Sequence, residues 1–169
     1  DTVTGTITGT QSAITVQPAA AAKLIFTTTP QTATGGNVTG TITVQRQDAF
    51  SNPNTADAMI TVNLSSDSAG IKVFRNTADT ADITSVTIAN GSSTASFLYK
   101  DLKAGTPTLT AAATGLTSGT QLQTINVGAF TKLQLLVPGE TAAPGSATGK
   151  TSTPSVQTTG TPVSVTINA

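Results

Sequence analysis

Apolar residues recur at every second position in short runs along most of the chain, most clearly over residues 13–17, 23–27, 40–45 and 58–64. Residues 71–74, 85–88, 94–99, 108–111, 122–127, 133–137 and 163–167 repeat the pattern. A period of two is that of a strand, whose successive side chains point to opposite faces of a sheet. No stretch carries the 3.6-residue period of a long amphipathic helix. Gly, Pro, Asn, Asp and Ser collect between the runs, at 35–36, 51–53, 90–91, 104–107 and 118–119, where turns need them. The spacing predicts an all-β chain folded as an antiparallel β-sandwich. Its parity assigns an inward face: Leu24 and Phe26, Ile42 and Val44, Ile60, Val62 and Leu64, Val86 and Ile88, Ala95 and Phe97, Leu109 and Ala111, Ile125 and Val127. Thr dominates the opposite positions, where its branched Cβ favours extended backbone and its hydroxyl meets water.

An internal repeat organises these strands. Gly9-Thr-Gln11, Ile14-Thr-Val16 and Lys23-Leu24 return as Gly119-Thr-Gln121, Ile125-Asn-Val127 and Lys132-Leu133, about 110 residues later, the length of one immunoglobulin-like sandwich. The repeat predicts three pieces. Residues 1–18 are the last strands of a preceding domain, residues 22–127 a complete sandwich, and residues 131–169 the first strands of a following domain. Linkers at 18–22 and 128–131 join them. Within the third piece, Gly160 to Asn168 corresponds to Asn37 to Gln45 once an insertion of about fourteen residues, between Glu140 and Ser155, is allowed for. That insertion reads as an exposed loop.

Four segments carry a family resemblance: Lys23-Leu-Ile-Phe-Thr-Thr-Thr-Pro30, Thr41-Ile-Thr-Val-Gln-Arg-Gln-Asp-Ala-Phe-Ser-Asn-Pro53, Asn90-Gly-Ser-Ser-Thr-Ala-Ser-Phe97 and Ala104-Gly-Thr-Pro-Thr-Leu-Thr-Ala-Ala-Ala-Thr-Gly115. In order and spacing, residues 22–127 resemble the bacterial Ig-like repeats of invasin and intimin-type adhesins and of large repetitive surface proteins. The resemblance implies an immunoglobulin-like antiparallel β-sandwich, one complete domain flanked by partial neighbours, that spaces, stiffens or polymerises at the cell exterior. It does not imply receptor binding. The family commonly reads Asp-x-x-Gly-Asn after its second strand, and here Ser51 stands in the Gly place between Asp48 and Asn52. If that turn needs positive φ, Ser51 has to supply it.

Composition narrows the function. Eight basic side chains balance eight acidic ones, and Cys, His and Trp are absent. That excludes disulfides, zinc-finger-type sites, Ser-His or Cys nucleophile pairs and imidazole acid–base work at neutral pH. The scattered Lys and Arg form no stripe that could track phosphates, so nucleic acid is not an expected partner. No apolar run approaches the roughly 20 residues a membrane-spanning helix needs, and residues 1–5 have no signal-peptide character, so any export signal is expected outside this chain. Abundant Thr, Ser, Asn and Gly with little Lys and Glu fit an extracellular or cell-surface protein.

The densest oxygen cluster is Asp48, Asn52, Asn54 and Asp57 in one loop, where two readings stand: calcium, which takes carboxylate and amide oxygens at such spacings, or ordinary Asx-turn bonding. The full EF-hand pattern is absent. Asp79 and Asp82 form a second pair that a solvated loop explains. Lys23, Asn126 and Asp48 occupy places where some surface Ig-like domains form a Lys–Asn isopeptide bond, but strand parity turns Lys23 and Asn126 outward. The sequons at Asn37, Asn63 and Asn90 are of a kind that a Thr- and Ser-rich chain carries by chance. Glu140, the only Glu, sits in the insertion with a local bonding role. No nucleophile with a base, carboxylate pair in a cleft or cofactor loop is found, so no catalytic activity is expected. The expected partners are neighbouring repeats or identical subunits. Sugar binding would need exposed aromatics, and Phe50, Tyr99 and Phe130 form no obvious platform.

Overall fold

A computed structural model describes residues 15–129 and 131–169. Residues 22–127 form an all-β immunoglobulin-like sandwich. One layer is a five-stranded antiparallel sheet in the order β1 (Lys23–Phe26), β3 (Ile42–Gln47), β8 (Thr94–Asp101), β5 (Lys72–Arg75) and β6 (Asp82–Ile83). The other holds β10 (Gly119–Leu122), β9 (Thr108–Ala112), β4 (Ile60–Ser66) and β7 (Ser85–Ile88), also antiparallel. A short parallel pair closes one side, β2 (Thr32–Thr34) against β11 (Thr124–Asn126). The run at 122–127 is thus not one strand. The chain leaves β10, turns through the buried Gln123 and joins β2 instead.

The core is the one that period two dictates, with corrections at its ends. Leu24, Ile42, Val44, Val62, Leu64, Ile88, Phe97, Leu109, Ala111 and Ile125 are buried, and Phe26, Ile60, Val86 and Ala95 pack partly buried against them. Val127 is instead 79% exposed, because β11 ends at Asn126 and the chain has already left the sandwich. Phe74 and Tyr99, outside the expected inward set, fill the centre. Phe97 receives Phe74 and Phe26 edge-on, with ring centroids 5.7 and 6.4 Å away and interplanar angles of 73° and 75°. Such edge-to-face pairs add about 0.5–1.5 kcal/mol each beyond the area they bury.

The repeated Gly-Thr-Gln motif has a steric reason at its second occurrence. A Cβ on Gly119 would lie 2.7 Å from the Leu24 carbonyl oxygen, so only glycine lets β10 begin against β1. There the two sheets are laced together: Leu24 N–H donates to the Thr117 carbonyl at 2.8 Å, and Thr117 N–H to that of Ala22 at 2.9 Å.

Beyond the sandwich lie two antiparallel pairs, β12 (Gln134–Leu136) with β15 (Thr166–Asn168) and β13 (Thr141–Ala142) with β14 (Lys150–Thr151). The insertion expected as a loop is therefore a hairpin. The run at 13–17 is not a strand where it is described: residues 15–17 are exposed and irregular, while residues 13 and 14, with most of the proposed leading half-domain, lie outside the described residues.

Parity makes a sharp prediction for equilibrium urea unfolding. Phe97→Ala is expected to cost about 3–5 kcal/mol, whereas Val127→Thr stays within about 0.5 kcal/mol of the parent.

Candidate functional site

The inward face of β3 does not stop at its last apolar residue. After Ile42 and Val44 the same parity places Arg46 and then Asp48 inside, 1% and 0% exposed. Neither could stay there unpaired, since burying an unsatisfied charge is prohibitive. The loop that follows is shaped to satisfy both. The Arg46 guanidinium donates only to main-chain carbonyls: Nε to Asn54 at 2.8 Å, Nη1 to Ala58 at 2.5 Å, and Nη2 to Asp57 at 2.7 Å and Ser92 at 2.9 Å. The fixed fork of five N–H donors suits this task in a way no other side chain does.

Asp48 solves the opposite problem. Its Oδ1 accepts the N–H groups of Phe50 and Asn52, each at 2.9 Å, and its Oδ2 accepts Ala19 N–H and the Asn52 side-chain amide, each at 3.0 Å. These donors, the Asn52 amide first, hold the carboxyl below the usual carboxylate range against the opposing effect of burial. Ser51 closes the turn with φ +72°, so the residue in the Gly place does adopt the left-handed conformation. Its hydroxyl accepts from the Lys23 ammonium at 2.8 Å.

Three members of the acidic and amide quartet converge on the linker that leads into β1. Besides the Asp48 bond to Ala19 N–H, Asn54 Nδ2 donates to the Ala19 carbonyl at 2.6 Å, and Ala21 N–H donates to Asp57 Oδ2 at 2.8 Å. Ala22 N–H completes the series on the Gln47 carbonyl at 2.8 Å. Asn54 Oδ1 meanwhile caps the loop, accepting Ala56 and Asp57 N–H at 3.1 and 2.9 Å. The bonding is of the Asx-turn kind extended to a neighbouring segment. A cation at this place would have to displace N–H donors from both Asp48 oxygens. Among the described residues, no three Asp or Glu side chains gather as a metal-holding group.

The other singled-out residues are apart from this site. Arg75 binds Asp79 at 2.7 Å and Asp82 at 2.5 Å across the exposed β5–β6 turn, and Asn76 Oδ1 caps that turn on Thr80 and Ala81 N–H. The Lys23 ammonium lies on Ser51, and Asn126 is exposed. Asn37, Asn63 and Asn90 are exposed. Glu140 pairs with Lys150 at 2.5 Å and accepts Val137 N–H. Phe50 is exposed, Tyr99 is interior and Phe130 lies outside the described residues.

Two buried polar groups escape a reading confined to apolar alternation, although parity marks both. Tyr99 and Asp101 continue the inward series Ala95, Phe97; the Tyr99 hydroxyl donates to Asp101 Oδ2 at 2.7 Å and lies 2.9 Å from Ser66 Oγ. Burial raises the phenol above its ordinary pKa, with the Ser66 bond opposing and the Asp101 bond reinforcing it. Gln123 accepts Gln31 N–H at 2.7 Å and donates to Gln121. Among the described residues, every buried side-chain nitrogen and oxygen has a partner.

No family model and no curated protein matches the chain. Among solved structures it is similar to a β-glycosidase from Bacteroides vulgatus, with 16% identity over 64% of this chain and 14% of that one, at a TM-score of 0.49. Surface layer protein SbsC is also similar: domains 4–9 at 16% identity over 72% of this chain and 16% of that one, with a TM-score of 0.45, and domains 4 and 5 at 17% identity over 67% and 54%, with a TM-score of 0.42. The chain spans about a seventh of the length of the glycosidases it matches, and these likenesses assign it no activity.

The loop sets two expectations. A depressed Asp48 pKa means its contribution to stability is present above the unfolded carboxyl value near 3.9 and is lost as pH falls through the lower folded value. The Ala19, Phe50 and Asn52 amide resonances should shift together in that acid window, and Asp48→Asn should abolish the transition. Ser51→Gly should raise stability by up to about 1 kcal/mol in thermal unfolding, relieving left-handed strain against a larger unfolded-state entropy.

Proposed function

We propose that this chain is a non-catalytic, structural tandem-repeat Ig-like module of a bacterial cell-surface or extracellular protein, serving as a spacer or filament-building unit. One observation carries this reading. In the complete sandwich, Ile25 pairs with Gln45 and Phe26 with Val44. Aligning Lys132 with Lys23 and Gly160 with Asn37 makes Gln134 and Leu135 the counterparts of Ile25 and Phe26, and Asn168 and Ile167 those of Gln45 and Val44. The observed pairs beyond the sandwich are Gln134 with Asn168 and Leu135 with Ile167, the same register. The intervening stretch is longer by the insertion, so loop length does not impose the match. It supports residues 131–169 as the opening hairpin of a second copy of the fold.

The linker bonding points the same way. A spacer needs short, fixed connections, and residues 19–22 are tied to the sandwich by five hydrogen bonds rather than left as a free tether. The bacterial Ig-like resemblance supplies the setting at the cell exterior, where the module would join neighbouring repeats.

A second reading has its own observation. Leu135 and Ile167 on β12 and β15, with Leu133 and Val165 immediately before them, expose apolar side chains, as a strand pair awaiting cover would. If that cover came from another subunit, the protein would assemble by strand complementation.

Denaturing electrophoresis and peptide mass spectrometry on the polypeptide from its source separate the two. A chain much heavier than 16.8 kDa, with peptides running beyond Asp1 and Ala169, is the expected result. A native mass near that value, with concentration-dependent assembly in sedimentation, would overturn the tandem reading in favour of subunit completion.

A further inference from the structure

The hairpin made by β13 and β14 reaches back onto the preceding sandwich. Its Gly145 carbonyl accepts the Ile71 N–H at 3.0 Å, just before β5. Gly145 has φ +78°, and a Cβ there would lie 2.5 Å from Lys103 Cβ and 2.8 Å from the Lys103 nitrogen and Cα. Backbone therefore meets backbone at this point, a contact only glycine permits.

Both sides of the contact are stiffened. On the sandwich, Leu102 N–H donates to the Ile71 carbonyl at 3.0 Å, and Lys103 N–H donates at 2.9 Å to Asp101, whose other oxygen holds the Tyr99 hydroxyl. Within the hairpin, Ala143 N–H donates to the Gly149 carbonyl at 2.7 Å, Ser146 Oγ bonds both the Ala143 carbonyl and Gly149 N–H, and the Lys150–Glu140 ion pair joins the base. Gln134 Nε2 ties the Gly149 carbonyl to β12 at 2.7 Å. An unbroken hydrogen-bonded path thus runs from β12 through the hairpin tip to the end of β8. The inserted residues have no counterpart in the first copy of the repeat, so they are not needed to form the strand pair.

We propose that this hairpin is an interdomain strut: it docks on the corner formed by Ile71 and Lys103 and fixes the angle between the sandwich and the repeat that follows. The inference rests on reading residues 131–169 as the start of a second sandwich. It assigns the Ile71–Lys103 corner as an interaction surface whose partner is the hairpin of the next repeat. Residues 19–22 are held against the sandwich by side chains of the loop between β3 and β4, and the strut holds the junction after the sandwich by a different device.

Residual dipolar couplings and amide exchange on the full 169-residue chain test this. The amides of β1–β11 and of β12–β15 are expected to fit one alignment tensor, with Ile71 N–H protected. Gly145→Val should raise Ile71 exchange by about tenfold or more, split the couplings into two tensors and leave the melting of the sandwich unchanged. Ser146→Ala, a milder loosening of the tip, should shift Ile71 exchange in the same direction. Gly160→Ala strains a glycine of φ +84° with nothing near its Cβ and should change neither readout. Two tensors in the parent chain, or unaltered Ile71 protection in Gly145→Val, would overturn the strut. The Leu135–Ile167 cross-strand Overhauser contact reports the repeat separately: its absence defeats the second-sandwich reading, while its presence beside two tensors defeats only the strut.

Discussion

The Arg46 guanidinium has been taken out of water without a carboxylate to meet it, and one end of the molecule is folded around that fact. Four carbonyls from Asn54, Asp57, Ala58 and Ser92 have to turn inward to receive its donors. Turning them inward fixes the course of the loop between β3 and β4 and the turn before β8. The same loop then presents Asp48, Asn54 and Asp57 to the segment that precedes the first strand. Remove the guanidinium and the buried Asn54 carbonyl loses its donor, at a cost of about 1–3 kcal/mol. The hold on the linker is thus a by-product of solving a burial problem, and its rigidity is that of the core.

Asp48 complements this arrangement without touching it. Its charge is balanced by N–H dipoles rather than by a cation, two from its own turn, one from Asn52's side chain and one from the linker. A carboxylate caged by donors both lowers its own pKa and defines a single backbone path. The left-handed Ser51 is the local strain accepted so that this turn can close.

Much of this could be read from alternation. Period two located the strands from Leu24 to Ile125 and the face they bury, because a sheet with one buried side leaves no freedom of register. The reading failed where it assumed that inward means apolar. Arg46, Asp48, Tyr99 and Asp101 keep the parity of their strands, and their partners come from distant segments that no local pattern announces. Val127 failed for the opposite reason: its parity is right, but the strand has ended. β2 left little trace, since three residues carry too little alternation and its parallel partner is remote in sequence. Of the candidate site, the cluster of Asp and Asn was visible and its bonding type was one of two readings. The object it grips was not, because a run of alanines offers only backbone to hold.

The parallel pairing of β2 with β11 has a mechanical meaning. These strands lie near opposite ends of the sandwich's chain but point the same way, joined rung by rung from Thr32–Thr124 to Thr34–Asn126. A pull on the chain beyond β11, resisted through β2 towards β1, would drag the two strands past each other along their length. The rungs would share that load in shear and give way together, whereas a hairpin pulled at its open end parts one rung at a time. With no disulfide available to a chain that lacks cysteine, this three-residue ladder would add its resistance in shear to that of the bonds holding β1 against β3 and Thr117.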